Sequence, residues 1–115
     1  MPFLRVYTNA ELTIDDNKFV EQAAELIAEE LGKPIGYVVV ALGHPKKMSF
    51  GGKCSNNGVL AYMDSIGFGN HKESLVKKLN IYFEQSFYGV EAHNINIVLT
   101  DMAAADVAIG GNLLG

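Results

Sequence analysis

Gly32-Lys33-Pro34-Ile35-Gly36-Tyr37-Val38-Val39-Val40-Ala41-Leu42 closes one predicted element and opens the next. A glycine followed closely by proline is a helix stop: glycine takes the left-handed cap and proline cannot continue the helix. Upstream of Gly32, Phe19, Val20, Ala23, Ala24, Ile27 and Leu31 recur at helical spacing, with Glu21, Glu25 and Glu29 on the other face. Asp15 or Asp16 is placed to cap that helix. Downstream, Tyr37 to Leu42 is a continuous apolar, β-branched run, the pattern of an inner strand covered on both faces. Phe3 to Thr8 is rich in β-formers and reads as the first strand, reached through a polar link from Asn9 to Asn17. The order so far is strand, helix, strand.

The order then repeats. Val59 to Ile66 reads as a strand; Leu75, Val76, Leu79, Ile81, Tyr82, Phe83, Phe87 and Tyr88 mark a second helix; Ile95 to Thr100 is a further strand. A shift of 57 positions lays Gly32 on Gly89, Leu42 on Leu99 and Phe3-Leu4 on Leu60-Ala61. With a slip of one, Phe19 falls on Leu75, Ile27 on Phe83 and Leu31 on Phe87. The likeness lies in element order and apolar pattern, not in residue identity. Two tandem β-α-β units predict an α+β, two-layer domain: a four-stranded mixed sheet with two helices on one face. Strands joined through a helix should run parallel. Helices on one side leave the other face bare, yet Tyr37–Leu42 and Val59–Met63 are apolar on both faces. A second copy of the chain is the expected cover. The segment from Asp101 to Gly115, with Val107, Ile109, Leu113 and Leu114, is too short for a third unit and suits packing on a neighbour.

With 115 residues, the chain fits one domain spanning 1–115. A net charge of -4 disfavours nucleic acid and anionic membrane as partners, and no apolar run approaches a membrane span. Cys54 is the one cysteine, so no intrachain disulfide forms. No positively charged start leads into an apolar stretch, so the expected location is cytoplasmic. His44, His71 and His93 lack metal-ligand spacing, and Gly51-Gly52, in the predicted loop His44–Lys53, precedes no phosphate-binding lysine. Neither a metal nor an organic cofactor is expected. Lys72, Lys77 and Lys78 read as a solvated helix face.

Met1-Pro2 carries the chemistry. A small second residue permits removal of the initiator, which would leave a proline secondary amine at the terminus. An α-amino group titrates near ~8, and burial or a nearby cation lowers it further. Such an amine can serve as a neutral general base. By itself, Pro2 is equally an ordinary way to begin a strand.

Taken together, Met1-Pro2, Thr8-Asn9, Gly32-Lys33-Pro34, Tyr37, Met48-Ser49-Phe50-Gly51-Gly52, Ser65-Ile66-Gly67, and Asp101-Met102 with Ala104 and Val107 resemble the macrophage migration inhibitory factor family of the tautomerase superfamily. The resemblance implies a homotrimer with a site at each subunit interface, and keto–enol tautomerisation of a small, phenylpyruvate-type α-keto acid. Pro2 would be the general base. Lys33 would bind the substrate carboxylate and depress the proline pKa; alone it reads as a lysine at a helix C-terminus. Ile66 would offer a backbone N–H; Tyr37 and Val107 would line the apolar wall, though all three also read as core. Departures occur where the family often has a tyrosine (here Asn96), an asparagine (Val98) and a closing aromatic (Ile109). Aromatic substrates should therefore bind less well. No Cys-x-x-Cys pair precedes Ser65, so thiol–disulfide activity does not carry over. The alternative implied by the resemblance is a cytokine-type protein, released without a signal peptide and acting on a cell-surface receptor.

Overall fold

The computed structural model describes every residue except Lys46, which lies within the predicted loop His44–Lys53. Four strands make the main sheet: β1 (Phe3–Thr8), β2 (Val39–Gly43), β3 (Val59–Ser65) and β4 (Ile95–Asp101), in the spatial order β2-β1-β3-β4. β1 and β2 are parallel, β3 and β4 are parallel, and the two units meet antiparallel through β1 and β3. The mixed sheet follows the predicted duplication. Helices α1 (Asp16–Leu31) and α2 (Lys72–Ser86) follow β1 and β3 in sequence.

Burial alternates along the central strands, as a half-covered sheet requires. Leu4 and Val6 of β1 and Val59, Ala61 and Met63 of β3 are buried against Phe19, Ala23 and Ile27 of α1 and Leu75, Leu79 and Phe83 of α2. The helix–helix seam is aromatic. Phe19 stacks on Tyr82 at 5.3 Å and meets Phe87 at 5.0 Å. Such pairs add about 0.5–1.5 kcal/mol each beyond area burial. The Tyr82 hydroxyl donates to the Phe19 carbonyl at 2.7 Å, and burial pushes its pKa up to about 12.

Local sequence fixes the junctions. The Asp15 side chain accepts from Lys18 N at 3.3 Å and caps α1, a contact typically worth ~1 kcal/mol. Gly32 closes the helix at φ 62°, and Lys33 N–H donates to Ala28 O at 3.1 Å. Lys33 thus leaves the helix in a fixed direction. At the other end of the sheet, buried Thr8 donates through Oγ1 to Gly58 O at 2.7 Å, while Gly58 N–H donates to Asn9 Oδ1 at 3.0 Å. Phe50 and Lys53 close the Gly51-Gly52 turn, and a Cβ on Gly58 would lie 2.5 Å from the Phe50 ring. The Thr8-Asn9 and Phe50-Gly51-Gly52 motifs therefore do structural work, away from the chain terminus.

Several expectations are corrected. Tyr37 is not in a strand: Tyr37 N–H donates to Pro34 O and Val38 N–H to Ile35 O, forming a 3-10 turn over Ile35–Tyr37 before β2 begins. Nor is β2 an inner strand of the chain's own sheet. It is an edge, with Val39 54% exposed, because β1 is already shared with β3. Its apolar run marks a surface that this chain leaves uncovered. Ile66 lies just beyond β3, and Phe87 and Tyr88 lie beyond α2. The C-terminal segment forms a small hairpin of its own, β5 (Ala108–Ile109) with β6 (Asn112–Leu113). Among the described residues no histidine, cysteine or carboxylate cluster could hold a metal. No described helix is long and apolar enough to cross a membrane.

Candidate active site at the chain terminus

The register decides what surrounds Pro2. Phe3 pairs with Asp64 in antiparallel β3 and with Val39 in parallel β2. One step back, Pro2 lies level with Ser65 and Val38. Its carbonyl accepts from Val39 N–H at 3.0 Å, which pins the terminus to the sheet. Side chains alternate along a strand, so Pro2 points to the helix layer with Leu4 and is buried. Phe3 points to the other face.

Lys33 reaches the same corner from the end of α1. Its Nζ donates to Ser65 Oγ at 2.9 Å, Ile66 O at 2.7 Å and Gly67 O at 2.9 Å. An ammonium has three N–H donors, and all are used. No carboxylate pairs with it among the described residues. The charge is therefore held by neutral oxygens and not cancelled. The effect reaches the terminus: the Met1 amine is held below the usual α-amino value, first by burial and then by the Lys33 charge. The segment that cradles Lys33 is itself tied down. Gly67 N–H donates to Asp101 Oδ1 at 2.9 Å, and Met102 N–H to Ser65 O at 2.8 Å. The Ser65-Ile66-Gly67 and Asp101-Met102 motifs are thus two halves of one structure.

Beside the terminus lies an apolar cavity of about 320 Å³ lined by Met1, Phe3, Gly36, Tyr37, Val39, Ala108 and Ile109. Tyr37 and Ile109 line this cavity, while Val107, expected on its wall with Tyr37, is buried and is not among its lining residues. A larger groove of about 550 Å³ runs between α2 and β4. Lys77 is the one titratable group on its wall, and that lysine is paired with Glu73 at 2.9 Å. The smaller cavity, with Met1 on its wall and the Lys33 charge acting on the Met1 amine, is the better chemical site.

Asn96 and Val98 do not join it. They lie on β4, at the edge of the sheet farthest from β2, and are exposed. A contribution from them to this site has to come from another copy. Conversely, sequence reasoning missed the part played by Ser65 and the Gly67 carbonyl. They stand 32 and 34 residues from Lys33, and no local spacing signals the contact.

A sequence profile described as macrophage migration inhibitory factor (MIF) matches residues 1–115. The chain belongs to the MIF family. A MIF homolog of Trichuris trichiura is 29% identical over 113 residues, covering 97% of this chain and 98% of that one. Among solved structures, a MIF homologue from Prochlorococcus marinus superposes with TM-score 0.88 at 24% identity, covering 98% of this chain and 99% of the other. The fold is shared more widely. Fused 4-OT, described as a symmetric trimer, gives TM-score 0.83 at 20% identity, with 97% and 94% covered. Pt0534 inactivated by 2-oxo-3-pentynoate gives 0.81 at 16%, with the same coverage. The full-length match shows the MIF family; the structures at 16–24% identity show the shared fold.

Proposed function

We propose that the chain, once Met1 is removed, is a keto–enol tautomerase of small α-keto acids with the Pro2 amine as general base. The observation that carries this reading is the uncancelled Lys33 charge acting on a part-buried N-terminus. The neutral proline nitrogen takes a proton from the carbon next to the carbonyl. The electron pair of that C–H bond becomes the C=C bond, and the carbonyl oxygen gains a proton to give the enol. The reverse sequence restores the ketone. Lys33 attracts the carboxylate, bonding it directly by exchanging one of its three neutral acceptors. The Ile66 N–H helps to place it, and Tyr37 and Ile109 shape the apolar wall. That a superfamily neighbour was inactivated by a 2-oxo acid supports the substrate class.

The test is a panel of aliphatic and aromatic α-keto acids assayed with processed chain. Keto–enol exchange should be accelerated for both, with lower kcat/KM for the aromatic members, because Asn96 and Ile109 replace ring-contacting side chains. Each lost aromatic contact is worth ~0.5–1.5 kcal/mol. No acceleration on any member would overturn the reading in favour of a binding protein.

The assembly proposed is a homotrimer. Both sheet edges are open in the single chain, and Val39, Val98 and Leu113 are exposed at 54%, 44% and 65%. The described trimeric state of fused 4-OT supports the number. Light scattering should give about three times the 12.5 kDa chain mass. A stable monomer would rule out a site completed by a neighbour's Asn96.

A further inference from the structure

We propose that Ser65 is a positioning residue for the tautomerase reaction: its buried hydroxyl holds the Lys33 ammonium at the start of β1 without neutralising it. The proposal rests on the tautomerase reading and adds a residue to it. Ser65 is fully buried, and its hydroxyl has two partners. It accepts from Lys33 Nζ at 2.9 Å and donates to Gly67 O at 3.0 Å, while Gly67 O accepts from Lys33 at 2.9 Å. The three groups form a closed triangle, and the Ile66 carbonyl adds the third acceptor at 2.7 Å.

The choice of a hydroxyl has a physical reason. A lysine stem has several free rotations, so an unheld ammonium would spend much of its time in water. An aspartate at position 65 would hold it, but would also cancel its charge. A serine oxygen restrains the cation and leaves its field intact. Ser65 lies level with Pro2 across the β1–β3 pair, so that field falls on the nitrogen that must stay unprotonated. The other titratable groups at this corner are Tyr37 in the turn before β2, Asp64 level with Phe3 and engaged by Arg5 at 3.7 Å, and Asp101 engaged by Gly67 N–H. None of them holds Lys33, and none is altered in the variants below.

The experiment uses chain confirmed by intact mass to begin at Pro2. The N-terminal amine is titrated by NMR, which needs no turnover, and kcat/KM is followed against pH in parallel. Lys33→Ala sets the full size of the effect. Ser65→Ala should raise the amine titration by about half a pH unit and cut kcat/KM roughly 3-fold on the acid limb. Ser65→Thr, which restores a hydroxyl, should bring both back. If Ser65→Ala does not fold, Ser65→Cys fills the space with a weak acceptor and should show the same upward shift. Wild-type titration in Ser65→Ala or Ser65→Cys, with Lys33→Ala shifted, would overturn the proposal and make Ser65 a space-filling residue. An amine that moves as expected in a chain with no turnover would support the clasp while refuting the tautomerase reading.

Discussion

A chain that keeps Met1 should turn over α-keto acids about 10²–10⁴-fold more slowly than the same chain processed to begin at Pro2, the range a well-placed general base supplies. In the unprocessed chain the proline nitrogen is an amide, its lone pair delocalised into the carbonyl. It cannot accept a proton, and Met1 itself stands on the wall of the cavity. In the processed chain, activity should rise with pH as the proline amine loses its proton. The rise should be centred below the ordinary α-amino value, because burial and Lys33 both disfavour the charged form at this corner. Intact mass spectrometry assigns the two species before assay. Equal turnover by both would remove Pro2 from the mechanism.

Lys33→Ala has the next largest expected effect. A hydrogen bond to a charged group contributes about 1.5–3 kcal/mol, so KM for a carboxylate substrate should rise roughly 10–100-fold. The sign of the accompanying pH shift follows from the loss of a cation. The protonated amine becomes less unfavourable, its pKa rises, and the activity limb moves to higher pH. The same change leaves Ser65 Oγ and the Ile66 carbonyl without their donor, while Gly67 O keeps the Ser65 hydroxyl, at a cost of about 1–3 kcal/mol for each orphaned acceptor that water does not reach. Thermal unfolding of the variant separates that cost from catalysis. If KM and the pH limb both stay at wild-type values, Lys33 serves only to pin α1 to β3.

The duplication made the fold legible. Gly32 with Pro34, the helical spacing of Phe19 to Leu31, and the return of the same order after Val59 were enough for both layers and the parallel pairs. Edge strands were harder. The apolar run from Val38 to Leu42 looks like an inner strand because it is apolar on both faces, and a single sequence does not say that the chain's own sheet leaves it at the edge. Tyr37 was misplaced because Pro34 starts a 3-10 turn that its apolar neighbours conceal. At the site, Lys33 alone reads as a lysine at a helix C-terminus and was marked through the resemblance, while Pro2 was visible as chemistry, a candidate terminal amine. Ser65 was not, since its part depends on a register between β1 and β3 that only the folded sheet sets. Asn96 and Val98, marked as departures from the resemblance, sit on the far edge, where one chain alone cannot bring them to this site.

The two β-α-β units repeat the same order of elements, and the repeat alone would put the same chemistry at both ends of the sheet. The shift that lays Phe3-Leu4 on Leu60-Ala61 lays Pro2 on Val59 and Lys33 on Val90. Val59 is fully buried and Val90 nearly so. At the second corner the nitrogen is locked in a peptide bond, and the counterpart of the cation is a hydrocarbon. Symmetry of the scaffold is broken by the simplest available difference, since a covalent chain has one beginning. With Pro2 as the proposed base, each copy would offer one reactive corner and one inert one, and the number of sites in any assembly would equal the number of chains, not the number of repeats.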